Sequence, residues 1–313
     1  MPPALTIVGL TKTYEGPPPV TALFGVELSV EAGEIFGLLG PNGAGKTTTV
    51  GVCTTRVRPS GGVVTVNGFD VARNPAEVKR RIGVVTQHNT LDRSCTVWEN
   101  LYYHCRYFGM SGTDARARTD ALLEQFRLTD RASAMAMTLS GGLAQRVQIA
   151  RSIAHHPAIL FLDEPTAGLD PQSRLQLWEL VEGLRAGGIT VLLTTHYMEE
   201  AERLSDRVAI IDHGKVLIVG TPAGLKQGLG ASTVCEVSVD RVDESLLQAI
   251  RTLPAVHEVT RTERGVRVLT GVRDGLLPRL VEVALGYGLT DVAVHEPTLE
   301  TVFIQMTGRD LRD

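Results

Sequence analysis

At 313 residues, with 43% hydrophobic and 21% charged residues, the chain has the composition of an ordinary globular protein with room for one large core and one small one. A net charge of -4 offers no basic footprint, so no nucleic-acid partner is expected. Apolar runs of about five residues fall far short of the roughly 20 that span a bilayer, and no charged stretch precedes an apolar one at the N-terminus, so neither a spanning helix nor a signal peptide is expected. Cys53, Cys95, Cys105 and Cys235 show no C-x-x-C spacing and read as scattered reduced thiols in a reducing compartment.

In chain order, residues 4–10 and 20–30 alternate apolar and polar around the turn at 15–19, as two antiparallel-type strands do. Tyr14, just before the turn, is either a half-buried strand aromatic or a flat surface for a purine ring. Residues 35–39 form an apolar run that predicts a buried parallel strand. It leads into Gly40-Pro41-Asn42-Gly43-Ala44-Gly45-Lys46-Thr47-Thr48, in which Gly40, four residues, Gly45, Lys46 and Thr47 have the spacing of a phosphate-cradling loop. Such glycines let successive backbone N–H groups point into one concavity. The helix starting at Thr47 adds its partial positive end, Lys46 a full charge, and the Thr47 hydroxyl a ligand for Mg²⁺. A dinucleotide-binding G-x-G-x-x-G reading is weaker, because Thr48 stands at the third glycine position. The stretch predicts a nucleoside triphosphate site.

Residues 63–66 predict a strand, Asn67-Gly68 a tight turn, 77–81 a short charged helix, and 82–86 an apolar strand with Gln87 at its end. A polar amide there stands where open α/β sheets bind ligands. Residues 96–127 have helical texture, and the aromatics Tyr102, Tyr103, Tyr107 and Phe108 are either core or an exposed docking face, core being the default. Ser140 is a good N-cap ahead of Gly141 and Gly142, which begin a helix running to about residue 154 and form a second anion-reading terminus. Residues 159–162 form an apolar strand ending in Asp163 and Glu164. Two acids at the tip of a buried strand are costly unless they meet a cation or move a proton. Asp163 suits Mg²⁺ and Glu164 an attacking water, their side chains pointing opposite ways. A helix over 172–186 precedes a strand over 190–194 that ends at His196. His196-Tyr-Met-Glu199 is not a zinc motif, since Glu stands at position 200. Residues 208–211 and 216–219 predict a closing hairpin, and the glycines of 220–224 and 228–230 mark a linker. Beyond it the pattern reads strand 233–239, helix 243–252, strands 255–261 and 265–270, helix 274–286, strand 289–295 and helix 297–307, an order that suggests a ferredoxin-like sandwich without chemistry of its own.

With these stretches in hand, residues 4 to about 222 resemble the ATP-binding cassette of an ABC transporter. The motifs stand in family order: Walker A (Gly40 to Thr48), Q-loop Gln87, signature Leu139-Ser140-Gly141-Gly142, Walker B ending at Asp163 with Glu164, D-loop Gly168-Leu169-Asp170, and switch His196. Leu143 stands where the family often has Gln. The whole chain, including the tail from Glu296 through Pro-Thr-Leu-Glu-Thr-Val-Phe to Leu311, is similar to ATP-binding subunits of daunorubicin-resistance exporters. The resemblance implies an α/β P-loop NTPase cassette over 1–222, with an antiparallel β subdomain and a helical subdomain at about 88–155, and a regulatory or interaction domain over 223–313.

It further implies ATP and Mg²⁺ as cofactors. Tyr14, Val20, the whole run from Gly40 to Thr48, Ser140, Gly141, Gly142 and Asp170 would contact nucleotide, with Tyr14 stacking on adenine. Thr47, Gln87 and Asp163 would serve the metal; Glu164, His196, Lys46 and Gln87 would serve hydrolysis. The implied partners are a second copy in a head-to-tail ATP sandwich and a separate integral-membrane permease. That places the chain peripherally on the cytoplasmic side of the cell membrane, powering efflux of a drug-like or lipophilic compound. The alternative is a cassette ATPase acting on a soluble assembly.

Overall fold

The structure is a computed structural model that describes residues 2–228, 233–262, 264–270, 275–295 and 298–307. The chain divides into two compact units, Met1–Pro222 and Ala223–Asp313.

The first unit opens with β1 (Leu5–Tyr14) and β2 (Val20–Val30), paired antiparallel with Leu5 opposite Val30 and Tyr14 opposite Val20. Leu5, Ile7 and Leu10 of one strand and Leu23, Val26 and Leu28 of the other are buried, the one-sided burial expected of an antiparallel sheet. β3 (Ile35–Leu39) is buried at every position and runs through the glycine loop into α1 (Lys46–Cys53). β4 (Gly61–Val66) pairs with β1, and Asn67 and Gly68, both at positive φ, turn the chain into the short β5 (Phe69–Asp70). α2 (Pro75–Arg81) leads to β6 (Ile82–Val85). Then come α3 (Val97–Tyr107), α4 (Gly112–Gln125) and α5 (Gly141–Ser152), each started by a hydroxyl N-cap: Thr96, Ser111 and Ser140. β7 (Ile159–Asp163), α6 (Pro171–Ala186), β8 (Thr190–Thr195), α7 (Met198–Leu204), β9 (Arg207–Asp212) and β10 (Lys215–Gly220) follow, and α8 (Pro222–Gly228) starts at the last residue of the unit and continues into the second.

These strands make a four-stranded sheet ordered β2-β1-β4-β5 and a six-stranded sheet ordered β10-β9-β3-β8-β7-β6. In the larger sheet β9, β3, β8, β7 and β6 are parallel and β10 runs against β9. Successive side chains leave a strand on opposite faces, and here each face has its own core. Leu160 and Leu162 join α3 to α6 on one side, whereas Ile159 and Phe161 join α1 and the smaller sheet on the other. Each fully buried Leu or Phe contributes about 1.5–3 kcal/mol. A parallel sheet also places all its carboxyl ends on one edge: Leu39 lies opposite Thr195, Thr194 opposite Asp163, and Leu162 opposite Val85. That alignment positions the site.

The second unit contains β11 (Thr233–Val239), α9 (Glu244–Arg251), β12 (Val256–Arg261), β13 (Gly265–Thr270), α10 (Leu276–Leu285), β14 (Leu289–His295) and α11 (Leu299–Thr307). The sheet order is β12-β13-β11-β14, antiparallel at every pairing. Leu246, Leu247 and Ile250 of α9 and Leu276, Leu280 and Ala284 of α10 bury against Val237, Val266 and Val268.

One expectation is refined and one needs correction. The boundary between the units, Pro222/Ala223, falls inside the 220–224 signal, yet the chain there is ordered: the strand runs to Gly220 and α8 begins at Pro222, whose fixed φ suits a first helical position, with Leu225 only 4% exposed. The second linker signal extends to Leu229 and Gly230, which lie outside the described residues, as do Glu296, Pro297 and residues 308–313 of the tail. The aromatics of α3 are not all core, because Tyr103 is 57% and Tyr107 85% exposed. Tyr102 is the half-buried one, stacked on Trp98 at 4.6 Å, whose indole N–H donates to Asp120 of α4, while Tyr103 and Tyr107 make edge contacts with Tyr102 and Phe108 at 5.5 Å. α7 begins two residues after His196, at Met198.

Candidate functional site

The loop after β3 is built by backbone constraints. Gly45 has φ 108 and a Cβ there would stand 2.7 Å from Leu23 Cδ2, so glycine alone lets the chain turn into α1 at this distance from β2. The turn aims the first N–H groups of α1 into a cavity of about 200 Å³ lined by Ala22, Asn42, Gly43, Gly45, Lys46, Thr47, Thr48, Gln87 and Glu164. Lys46 is 4% exposed and donates to the carbonyls of Gly40 (2.8 Å) and Pro41 (3.0 Å). Its Nζ also lies 3.3 Å from Glu164 Oε1. Burial pushes the Lys46 pKa below its ordinary value, against the upward pull of the Glu164 carboxylate and then of Asp163. Tyr14 reaches the rim, its hydroxyl 3.3 Å from Thr48 Oγ1 and its ring 4.8 Å from Lys12 Nζ. Val20 stands opposite it in register and is 61% exposed.

The two acids part company as their alternation requires. Asp163, 4% exposed, accepts from Thr194 Oγ1 at 2.7 Å and from Thr47 Oγ1 at 3.4 Å. A buried carboxylate needs such donors, since leaving it unpartnered costs several kcal/mol. Hydroxyl and carboxylate oxygens this close form an all-oxygen donor set that fits a hard divalent cation. Glu164 has φ 50, a left-handed conformation that costs a non-glycine residue about 1–3 kcal/mol. The N–H of Glu164 points back to the Thr194 carbonyl and hydroxyl, both at 3.1 Å, which turns its side chain out of the strand. That carboxylate gathers the remaining groups: Gln87 Nε2 donates to Oε2 at 3.3 Å and His196 Nδ1 lies 3.4 Å from the same oxygen. Lys46, Gln87, Glu164 and His196 thus meet, although they follow four different strands. Gln87 reaches Glu164, not Asp163.

Ser140, Gly141, Gly142 and Asp170 are not among the residues lining this cavity. They make a second constellation. Ser140 caps α5 by accepting from Leu143 N, and Asp170 caps α6 by accepting from Ser173 N at 2.9 Å. Bonds from Ser173 hold the Asp170 carboxyl below the usual carboxylate range. A Cβ on Gly142 would come within 2.6 Å of Ser173 Oγ, so glycine is what lets the two capped helix ends approach. Arg146 donates to Gln176 at 2.6 Å one turn further on.

Ala22 on the cavity wall and Thr194 behind Asp163 escaped sequence reading. A hydroxyl at the end of the apolar strand 190–194 was the available signal for Thr194; nothing local marks Ala22, which a different sheet brings there.

Comparison with known proteins gives the family. The family model described as ABC transporter covers residues 23–167. The linearmycin resistance ATP-binding protein LnrL of Bacillus subtilis is 38% identical over 297 residues, covering 94% of this chain and 96% of that one. The daunorubicin resistance ATP-binding protein DrrA2 of Streptomyces coeruleorubidus is 43% identical over 292 residues, 92% of this chain and 90% of that one. The dimeric post-hydrolysis structure of the ATP-binding cassette MJ0796 with ADP and Pi superimposes with a TM-score of 0.64 at 29% identity, over 69% of this chain and 98% of that one. The chain belongs to the ABC transporter family, as an ATP-hydrolysing, ATP-binding subunit of the daunorubicin-resistance type.

Proposed function

We propose that two copies of this chain pack head to tail around ATP and drive a separate membrane permease that expels an antibiotic-like or lipophilic compound. One observation carries the reading: each chain holds one cavity-forming constellation and one separate, outward-capped constellation at Ser140 and Asp170. A lone copy leaves the second without a ligand, whereas two antiparallel copies give each terminus the other's γ-phosphate. ATP then favours the closed pair because those donors gain partners only when it is bound. The MJ0796 cassette, a dimer with ADP and Pi, supports this packing.

Lys46 and the first N–H groups of α1 would hold the β- and γ-phosphates, and Tyr14 at the rim would carry the base. Thr47 and Asp163 would hold Mg²⁺, with Gln87 close by; bound there, the ion supplies charge neutralisation for the phosphoryl oxygens. Glu164 would take a proton from the water as its oxygen attacks the γ-phosphorus and the bond to the β–γ bridging oxygen breaks. His196, sharing Oε2 of that carboxylate with Gln87, would orient the base and stabilise the γ-phosphate. Dimer opening after phosphate leaves would move the permease.

A cleft of about 930 Å³ beyond Thr86 supports the permease contact. Its walls combine Tyr107, Phe108 and Met110 with Arg56, Lys79, Arg80 and Arg151, which suits a short amphipathic segment carrying acids. Docking there would hold the chain at the cytoplasmic face of the cell membrane; no helix among the described residues is long and apolar enough to cross it. The second unit we assign to interaction or regulation, on a ferredoxin-like sandwich supported by its antiparallel strand order. The test is co-purification with the membrane protein encoded beside it, followed by ATPase assay with candidate cargo. Cargo-stimulated turnover of the complex is expected. Failure of that membrane protein to bind, with activity responding instead to a soluble assembly, would replace export by the other reading.

A further inference from the structure

One buried acid plays no part in the mechanism above. Glu200, on α7, is fully buried, a position that costs an unpartnered carboxylate several kcal/mol. Trp178 Nε1 donates to Oε1 at 3.1 Å; Oε2 has no partner in bonding geometry, and neither has the buried hydroxyl of Thr166. Burial pushes the Glu200 pKa up, while the hydroxyl of Thr195, the Trp178 N–H, the Thr166 hydroxyl and the Arg174 charge pull it down.

Those neighbours come from three segments, two of them running from the Glu164–His196 contact at the nucleotide cavity and the third, α6, from its Asp170 cap. Thr195 directly precedes His196, and its hydroxyl accepts from Tyr197 N at 2.9 Å, so it brackets the histidine. The Tyr197 ring lies 4.1 Å from that of His196, with the Arg174 guanidinium 4.9 Å above it. Thr166 follows Glu164 by two residues, on the loop leading to Asp170. Trp178 sits on α6, which Asp170 caps. Glu200 itself does not line the nucleotide cavity.

We propose that Glu200 is a positioning residue that locks the His196 strand end and the Glu164–Asp170 loop onto α6, so that the histidine meets the Glu164 carboxylate. This rests on the role given to His196 above. A carboxyl is suited to the place because one oxygen takes the indole N–H while the hydroxyls of Thr195, at a strand end, and Thr166, on a loop, act on the same group.

The test compares steady-state ATPase kinetics of the full chain as Glu200→Ala, Glu200→Gln, His196→Ala and Glu200→Ala/His196→Ala. Glu200→Ala is expected to lower kcat by about tenfold or more with KM within about twofold, the signature of a lost transition-state arrangement as opposed to lost binding. Glu200→Gln, which keeps the shape and the acceptor for Trp178, is expected within about threefold of the parent. The double variant is expected to match His196→Ala, since groups acting through one another do not add. Parent-like kcat in Glu200→Ala, a loss that multiplies in full with that of His196→Ala, or a Gln variant as slow as Ala overturns the proposal. Parent-like turnover in His196→Ala overturns the switch assignment and this inference together; an impaired His196→Ala beside an unaffected Glu200→Ala overturns this one alone. If Glu200→Ala does not fold, Trp178→Phe removes the N–H donor and keeps a ring in the core. The same kcat loss and non-additivity are expected of it, and their absence counts against the proposal in the same way.

Discussion

The two units use similar elements to opposite ends. In the first, parallel strands deliver Gly40, Gln87, Glu164 and His196 to one edge, where a lysine, an amide and a histidine each come within 3.4 Å of one carboxylate. In the second, every strand pairing is antiparallel, so strand ends alternate between two edges and no such gathering follows among the described residues. On its sheet Arg267 pairs across strands with Glu236 at 2.8 Å. Apolar burial is comparable in kind, from Phe161 in one to Val268 in the other. What separates a catalytic layer from a packing layer here is strand direction, because direction decides which side chains can share a point in space.

Breaking the gathered edge should have the largest effect. Glu164→Gln is expected to lower hydrolysis by about 10²–10⁴-fold, the range for loss of a general base, while ATP still binds and a closed dimer accumulates on gel filtration. Lys46→Ala is expected instead to abolish tight nucleotide binding, seen as loss of fluorescent-ATP titration. In the packing unit, Ile250→Ala removes a fully buried side chain and is expected to cost about 2–5 kcal/mol of that unit's stability by calorimetry, with ATP affinity unchanged. A matching fall in ATP affinity would show that the two units are not separable in this sense.

Gly142→Ala probes the second constellation of the first unit. Its Cβ must push against Ser173, at a cost of about 1–3 kcal/mol for overpacking. ATP-dependent dimerisation is expected to weaken while binding by the single chain persists. The smallest effect concerns acid. Burial, then the charges of Arg151 and His155, push His104 in the cleft wall down to about 3 from its ordinary 6.5. The unfolded chain therefore takes up that proton more readily than the folded one between these values. The stability held by neutral His104 is complete above pH 6.5 and falls as pH drops toward about 3. In His104→Gln the urea midpoint of the first unit should fall less between pH 7.5 and 5 than in the parent, and an equal fall would assign the drift to other groups.

Much of the site is legible in the amino-acid order. The glycine spacing of 40–47, the acid pair after a four-residue apolar run, and the hydroxyl ahead of two glycines at 140 are local patterns, each interpretable within one strand or helix terminus. Strand bounds such as 233–239 and 289–295 follow directly from alternation. The misreadings arise where a residue's role depends on a distant partner. Pro222 and the glycines near it signal a break, yet the same proline serves equally well as a helix start once Leu225 has somewhere to bury. Tyr107 is as apolar as a core residue, and only the packing of α3 leaves it 85% exposed.

By itself, then, the sequence determined the chemistry: which groups stand at strand tips, which loop can cradle phosphate, and the family those motifs spell. Tertiary structure alone decided which of those groups meet. That Glu164 faces Lys46, Gln87 and His196 while Asp163 faces Thr47 and Thr194, that Gly142 must yield to Ser173, and that Glu200 is buried among a strand end, a loop and a helix all depend on contacts between segments far apart in the chain. Local patterning records the preferences of neighbours along the backbone; a shared point in space is set by sheet order and strand direction, which no single window of sequence contains.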